Sequence, residues 1–255
     1  MILVDTHCHL YLEEFKHNIA DVVKRAENAG VQRFYLPAID SQSVGDMLQL
    51  EKRWPEKFYC MIGLHPCYVK ENYRQELEVM EDWLNKRPFV AIGEIGLDFY
   101  WDKTFTQQQY EAFNLQMGWA LQRGMPIAIH TRNAMPETID AVRPFAAKGL
   151  RGIFHCFSGT GAQAREITDM GFYLGIGGVV TYKNAGVAEA LQNISLQHMV
   201  LETDAPYLTP VPFRGKRNES SYLPYIVARL AEVTGTTKEE VAAITTANAE
   251  KIFGN

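Results

Sequence analysis

The sequence predicts a (β/α)8 barrel of the TIM type. Eight short β-rich runs alternate with amphipathic, helix-spaced stretches along the 255 residues. That alternation points to a parallel sheet covered by helices. Metal-competent polar residues gather where the strand-like runs end, as they must if strand ends converge on one mouth. An open doubly wound sheet is the alternative, but its Gly-rich phosphate loop is missing: Gly175, Gly177 and Gly178 lack the spacing.

The strand-like runs cover residues 2–6, 33–37, 58–62, 90–92, 126–129, 152–154, 172–176 and 199–201. Each is rich in branched or aromatic residues. Between them, residues 19–29, 107–122, 136–147 and 162–170 carry apolar positions at helical spacing. Several of these stretches stop at glycine before the next strand, at Gly30, Gly124 and Gly171. No internal repeat, low-complexity tract or linker interrupts the pattern, so one domain over residues 1–255 is expected.

Composition narrows the function classes. With 47% hydrophobic and 22% charged residues the chain can bury a large core. The formal charge of −5 excludes a globally basic nucleic-acid binder while allowing a local cationic groove. Charged Asp5 comes too early for a secretory leader, and no run approaches the roughly 18 apolar residues of a membrane span. The scattered Cys8, Cys60, Cys67 and Cys156 suit neither a disulfide framework nor a zinc knuckle. A cytoplasmic location with reduced thiols is the expectation, with no membrane and no obligate protein partner.

The chemistry gathers at strand ends. His7 and His9 follow the first strand, His65 the third, Glu94 the fourth, and His130, His155 and Asp204 the fifth, sixth and eighth. Asp5, His7 and His9 share strand parity, so the H-x-H pair can offer two imidazoles to one ion. One buried histidine is easily satisfied by a hydrogen bond; four converging on a cavity need another reason. Glu94 and Asp204 add anionic oxygens that are costly to bury without a cation. The ligands divide as His7, His9 and Asp204 on one ion and His130 and His155 on another, with Glu94 shared. Two divalent ions, Mg, Mn or Zn, are expected.

Five ordered motifs carry a resemblance. They are Val4-Asp5-Thr6-His7-Cys8-His9-Leu10, Gly63-Leu64-His65-Pro66, Gly93-Glu94-Ile95-Gly96-Leu97-Asp98, His155-Cys156-Phe157-Ser158-Gly159 and Glu202-Thr203-Asp204-Ala205-Pro206-Tyr207. Together they resemble the TatD-family metal-dependent deoxyribonucleases, amidohydrolase-like TIM barrels, from residue 2 to about residue 253. The resemblance implies a divalent-metal centre on His7, His9, Glu94, His130, His155 and Asp204, and nuclease activity on DNA. Some members lack the first H-x-H pair; this chain keeps it, which favours two ions.

Further residues have assigned expectations. Asp204 is the leading candidate to take a proton from the attacking water, with Glu94 and His65 as its catalytic companions. His65 is also a candidate to contact a substrate phosphate. Arg132, Arg214 and Arg217 are candidate phosphate grips; the loop carrying the last two resembles the family's, except that Ser220 stands where a proline is usual. Phe99-Tyr100-Trp101 either stacks on a base or packs a loop against the barrel. Asp5 and Glu202 are candidate acceptors for ligand imidazoles. Cys8 and Cys156 have the wrong parity to be ligands and are expected between strands and helices.

The leading function is therefore hydrolysis of DNA phosphodiesters, 3′-5′ exonuclease-like, on single strands or strand ends. The alternative is a metal-dependent hydrolase of a small amide, lactone or phosphate ester on the same barrel. Related barrels bridge two ions with a carboxylated lysine after strand four, where this chain has Glu94. A non-catalytic binding protein is the third class.

Overall fold

A computed structural model describes residues 1–254. Its eight strands are β1 (Leu3–Asp5), β2 (Val31–Pro37), β3 (Phe58–Ile62), β4 (Ala91–Asp98), β5 (Ile127–Arg132), β6 (Gly152–Phe154), β7 (Tyr173–Ile176) and β8 (Met199–Leu201). All neighbours run parallel, in sequence order. The ring closes where Thr6 N donates to Leu201 O at 3.0 Å. Beyond it, Asp204 N donates to His7 O and His9 N to Ala205 O, at 2.9 and 2.8 Å. The architecture is a (β/α)8 TIM barrel.

Two cores hold it. The larger lies between the strands and the surrounding helices and includes Leu3, Phe34, Leu36, Ile62, Ile92, Ile129, Phe154 and Leu174. The smaller fills the barrel, to which every strand sends one residue: Val4, Tyr35, Met61, Ala91, Ala128, Ile153, Tyr173 and Val200. The C-terminal helix Lys238–Phe253 plugs the lower end with Ala249 and Ile252, and Phe253 stacks on Tyr35 at 3.9 Å. That helix begins with a capping box between Thr237 and Glu240, so the plug has a defined start.

This inner layer sets the height and direction of the site. Side chains along a strand alternate, so the residue two beyond an interior position points inward again, one step nearer the mouth. Ala128 thus leads to His130, Ile153 to His155, and Val200 to Glu202.

Strands four and five run past the ends expected for them. β4 continues through Gly93, Glu94 and Gly96 to Asp98, and β5 through His130 to Arg132. The glycines of β4 are the means of close approach. At Gly96, with φ +151°, a Cβ would stand 1.9 Å from His130 O. The register between β4 and β5 also shifts between Ile92 and Ile95, which re-aims Glu94.

Gly96→Ala is expected to cost about 2 kcal/mol or more by forcing the two strands apart. For a chain of this size that lowers Tm by at least about 4 °C. Gly118→Ala, in the helix Thr106–Arg123 with open space around it, should leave Tm unchanged or higher. Thermal melts of both variants check the pair; the reverse order would show that Gly96 does not set the β4–β5 spacing.

Candidate metal centre

Glu94 is the centre of the site. It is 2% exposed, and its two oxygens face two groups of imidazoles. Oε2 lies 3.2 Å from His7 Nε2 and 3.5 Å from His9 Nε2. Oε1 lies 3.3 Å from His65 Nε2, 3.0 Å from His130 Nδ1 and 3.1 Å from His155 Nε2. Asp204 Oδ1 approaches His9 Nε2 at 3.4 Å and His7 Nε2 at 3.8 Å. Burial raises the Glu94 carboxyl, but the imidazole charges of His65, His155 and His7 pull it well below the usual range.

Hydrogen bonds behind the rings select their tautomers. Tyr11 spends its hydroxyl proton on Pro37 O at 2.7 Å, so its oxygen accepts from His9 Nδ1 at 2.9 Å. His9 then turns an Nε2 lone pair toward the cavity. His155 differs: its Nδ1 lies 3.2 Å from Glu202 Oε1 as an ion-pair contact and makes no hydrogen bond. His65 is the reverse of His9: its Nδ1 accepts from Cys67 N at 3.0 Å, so the neutral ring carries its proton on Nε2.

These donors fit divalent ions. The His9 lone pair faces the Glu94 and Asp204 oxygens, an arrangement that is repulsive until a positive charge lies between them. Burial works against protonating His9, yet its contacts with Asp204 and Glu94 raise its pKa to about 9. His155 is likewise raised despite burial, by Glu94 and Glu202. The proton these rings attract occupies the place a cation takes. Three groups have ligand atoms all within 4.8 Å of one another: His7, His9 and Glu94; His7, His155 and Asp204; and His65, Glu94 and His130.

The structure brings His7, His9, His65, Glu94, His130, His155 and Asp204 to one place. His155 stacks on His7 at 3.8 Å but lies 6.0 Å from His130, so it stands closer to the first histidine pair than to the ring it was expected to share an ion with. Asp98 was not anticipated. Its Oδ2 takes His130 Nε2 at 2.9 Å, while Oδ1 takes the Tyr100 and Trp101 amides at 2.9 and 3.1 Å. Burial raises its carboxyl, and these bonds more than reverse that, holding it below its ordinary value.

Asp5 does not reach an imidazole. Its oxygens take the Thr203 and Ser220 hydroxyls, both at 2.6 Å, and Thr203 N at 3.0 Å, fastening the β1 end to the segment after β8. Burial nevertheless pushes its pKa up to about 7. Glu202 does face an imidazole and also accepts from Cys156 N at 2.5 Å. Gly175 makes room for it, since a Cβ there would meet Glu202 Oε2 at 2.2 Å. Cys8 packs in the outer core as expected. Cys156 does not: the backbone turns left-handed there, φ +47°, ending the strand alternation, and the residue joins the cavity wall.

The cavity above the centre has a volume of about 630 Å³, and its wall includes Tyr68, Trp101, Arg132, Ser158 and Tyr207. Arg214 and Arg217 lie outside that wall. Arg214 covers the Tyr182 ring at 4.1 Å, and Arg217 covers Phe15 at 4.5 Å while donating to Glu14 O and Asn18 Oδ1. Their loop is held down on its neighbours instead of reaching over the mouth. No helix among the described residues is long and apolar enough to cross a membrane.

Comparison with known proteins agrees with this geometry. The family model for TatD related DNase matches residues 4–254. An uncharacterized metal-dependent hydrolase of Bacillus subtilis, YabD, is 37% identical, with 99% of each chain covered. The 3'-5' ssDNA/RNA exonuclease TatD of Erwinia tasmaniensis is 30% identical over 98% of this chain and 99% of that one. The crystal structure of YjjV, a TatD homolog from Escherichia coli K12, superposes with a TM-score of 0.93 at 27% identity, covering 99% and 98%. The protein therefore belongs to the TatD-related DNase family of metal-dependent hydrolases.

Proposed function

We propose that this protein is a deoxyribonuclease that trims single-stranded or frayed DNA from the 3′ end, using two divalent ions. The division of the two Glu94 oxygens between His7 with His9 and His65 with His130 and His155 carries the two-ion reading. Divalent ions at such a site lower the pKa of water and neutralise charge on a phosphate. His7, His9, Glu94, His130, His155 and Asp204 would hold them, with Mg, Mn or Zn compatible with mixed nitrogen and oxygen donors.

The remaining work falls to side chains. Asp204 is the most accessible of the three central carboxylates, its side chain 13% exposed against 3% for Glu94 and 1% for Asp98. It is the group placed to accept a proton from the attacking water. His65 turns an N–H toward the same centre and can donate to a phosphate oxygen. Arg132 stands at the cavity wall to hold a neighbouring phosphate.

The substrate preference rests on shape and charge. A cavity of about 630 Å³ holds a nucleotide-sized body. The net charge of −5 argues against tracking along a duplex, which needs many phosphate contacts on a broad basic face. The exonuclease name carried by the Erwinia tasmaniensis relative supports the same direction of cutting. Hydrolysis of a small phosphate ester, amide or lactone is the competing reading of the same centre.

Chelation is expected to abolish cleavage of an end-labelled single strand while the circular dichroism spectrum stays nearly unchanged, because the barrel core stands without metal. Returned metal should restore cutting of the linear strand and leave a covalently closed circle of the same sequence intact. Equal cleavage of the circle would overturn the end-directed reading. Turnover of small esters alone would overturn the nuclease reading.

Glu94→Ala is expected to reduce occupancy at both ion positions, and His155→Ala mainly at one. Metal analysis of the purified variants measures this. Loss of a single ion in both variants would remove the support for Glu94 as a bridge.

A further inference from the structure

We propose that Trp101, Tyr100 and Arg132 form a one-nucleotide clamp at the cavity lip, in which Trp101 stacks on a base and Arg132 holds a phosphate. This deepens the nuclease reading and rests on it for the identity of the ligand.

Four observations converge on the lip. Trp101 is 68% exposed, although it is the largest side chain type and lines the cavity. It stands edge-on to Tyr100, 4.8 Å between centroids and 84° between planes, which fixes its orientation while leaving a face open. The Arg132 guanidinium lies 3.9 Å from the Tyr100 centroid and 5.2 Å from that of Trp101. Among the described residues Arg132 has no carboxylate partner, in contrast to Arg25, Arg33, Arg87 and Arg143. A cation held flat on an aromatic ring is oriented at little entropic cost and keeps its N–H edge for an anion.

The clamp is also tied to the metal centre. Asp98 accepts the Tyr100 and Trp101 amides with one oxygen and His130 with the other. The lip is therefore positioned by the same carboxylate that orients a central imidazole, at a fixed reach from Glu94. Stacking requires a base and has little regard for which one, while the guanidinium requires only a phosphate. A ligand supplying both at adjacent positions is a single-stranded oligonucleotide.

The test measures binding in chelator, where no turnover intervenes, by anisotropy of fluorescein-labelled hexamers. One is hexathymidylate; the other is a base-free hexamer of abasic deoxyribose phosphates with the same charge. Trp101→Ala is expected to weaken hexathymidylate about tenfold, within the range for one lost base stack, and to leave the base-free hexamer within twofold of wild type. Trp101→Phe should recover most of the loss. Arg132→Ala should weaken both hexamers alike and reduce the salt slope by about one. Equal weakening of both hexamers by Trp101→Ala, or no change in either, would overturn the clamp. If hexathymidylate binds in the expected way yet metal-loaded protein does not cut it and does hydrolyse a small ester, the clamp stands and the nuclease reading falls.

Discussion

A buried carboxylate surrounded by imidazoles is the constraint on which this molecule turns. Glu94 sits inside a barrel where an unpaired charge would be prohibitively costly. Five histidines contributed by β5 and by the segments that follow β1, β3 and β6 answer it. β5 and β6 are adjacent strands, but the segment after β1 reaches them only when the ring closes, so closure brings the two sets of donors together. The bonds from Thr6 to Leu201 and from Asp204 to His7 complete that ring at the functional end. Stability and chemistry are thus joined at one place: the closing seam of the barrel is also the wall of the site.

Behind the donors stands a set of groups that decides which nitrogen faces inward. Tyr11 directs His9, and the Cys67 amide gives His65 the opposite tautomer. Rings of one residue type thereby take different parts, one offering a lone pair and the other a proton. Asp5 does comparable work on the backbone, holding Thr203 and Ser220. The Ser220 hydroxyl is one of the donors that fasten this seam.

Much of this was legible in the sequence, for a physical reason. Eight strands whose ends converge on one mouth convert distant histidines into neighbours, so position at a strand end located His130 and His155. The reading failed where the chain leaves regular geometry. The β-rich run ends at Ile92 before Gly93, so the continuation of β4 to Asp98 was not expected; the alternation Glu94, Gly96, Asp98 was the available signal. Cys156 defeats parity because its left-handed φ ends the strand. The loop of Arg214 and Arg217 reads as a basic patch, but it lies outside the cavity wall, where Arg217 donates to Glu14 O and Asn18 Oδ1. Contacts of that kind depend on tertiary neighbours that no local pattern encodes.

The plug at the lower end has a consequence for traffic. Ala249, Ile252 and Phe253 seal the barrel beneath the inner layer, so the cavity is a cup with one doorway. A substrate cannot thread through it. Whatever bond is broken at the bottom, both fragments depart along the path by which the intact molecule arrived, and the smaller must pass the larger. The protein works as a dead-end dock: each catalytic cycle includes an unloading, and the rate of leaving belongs to the rim.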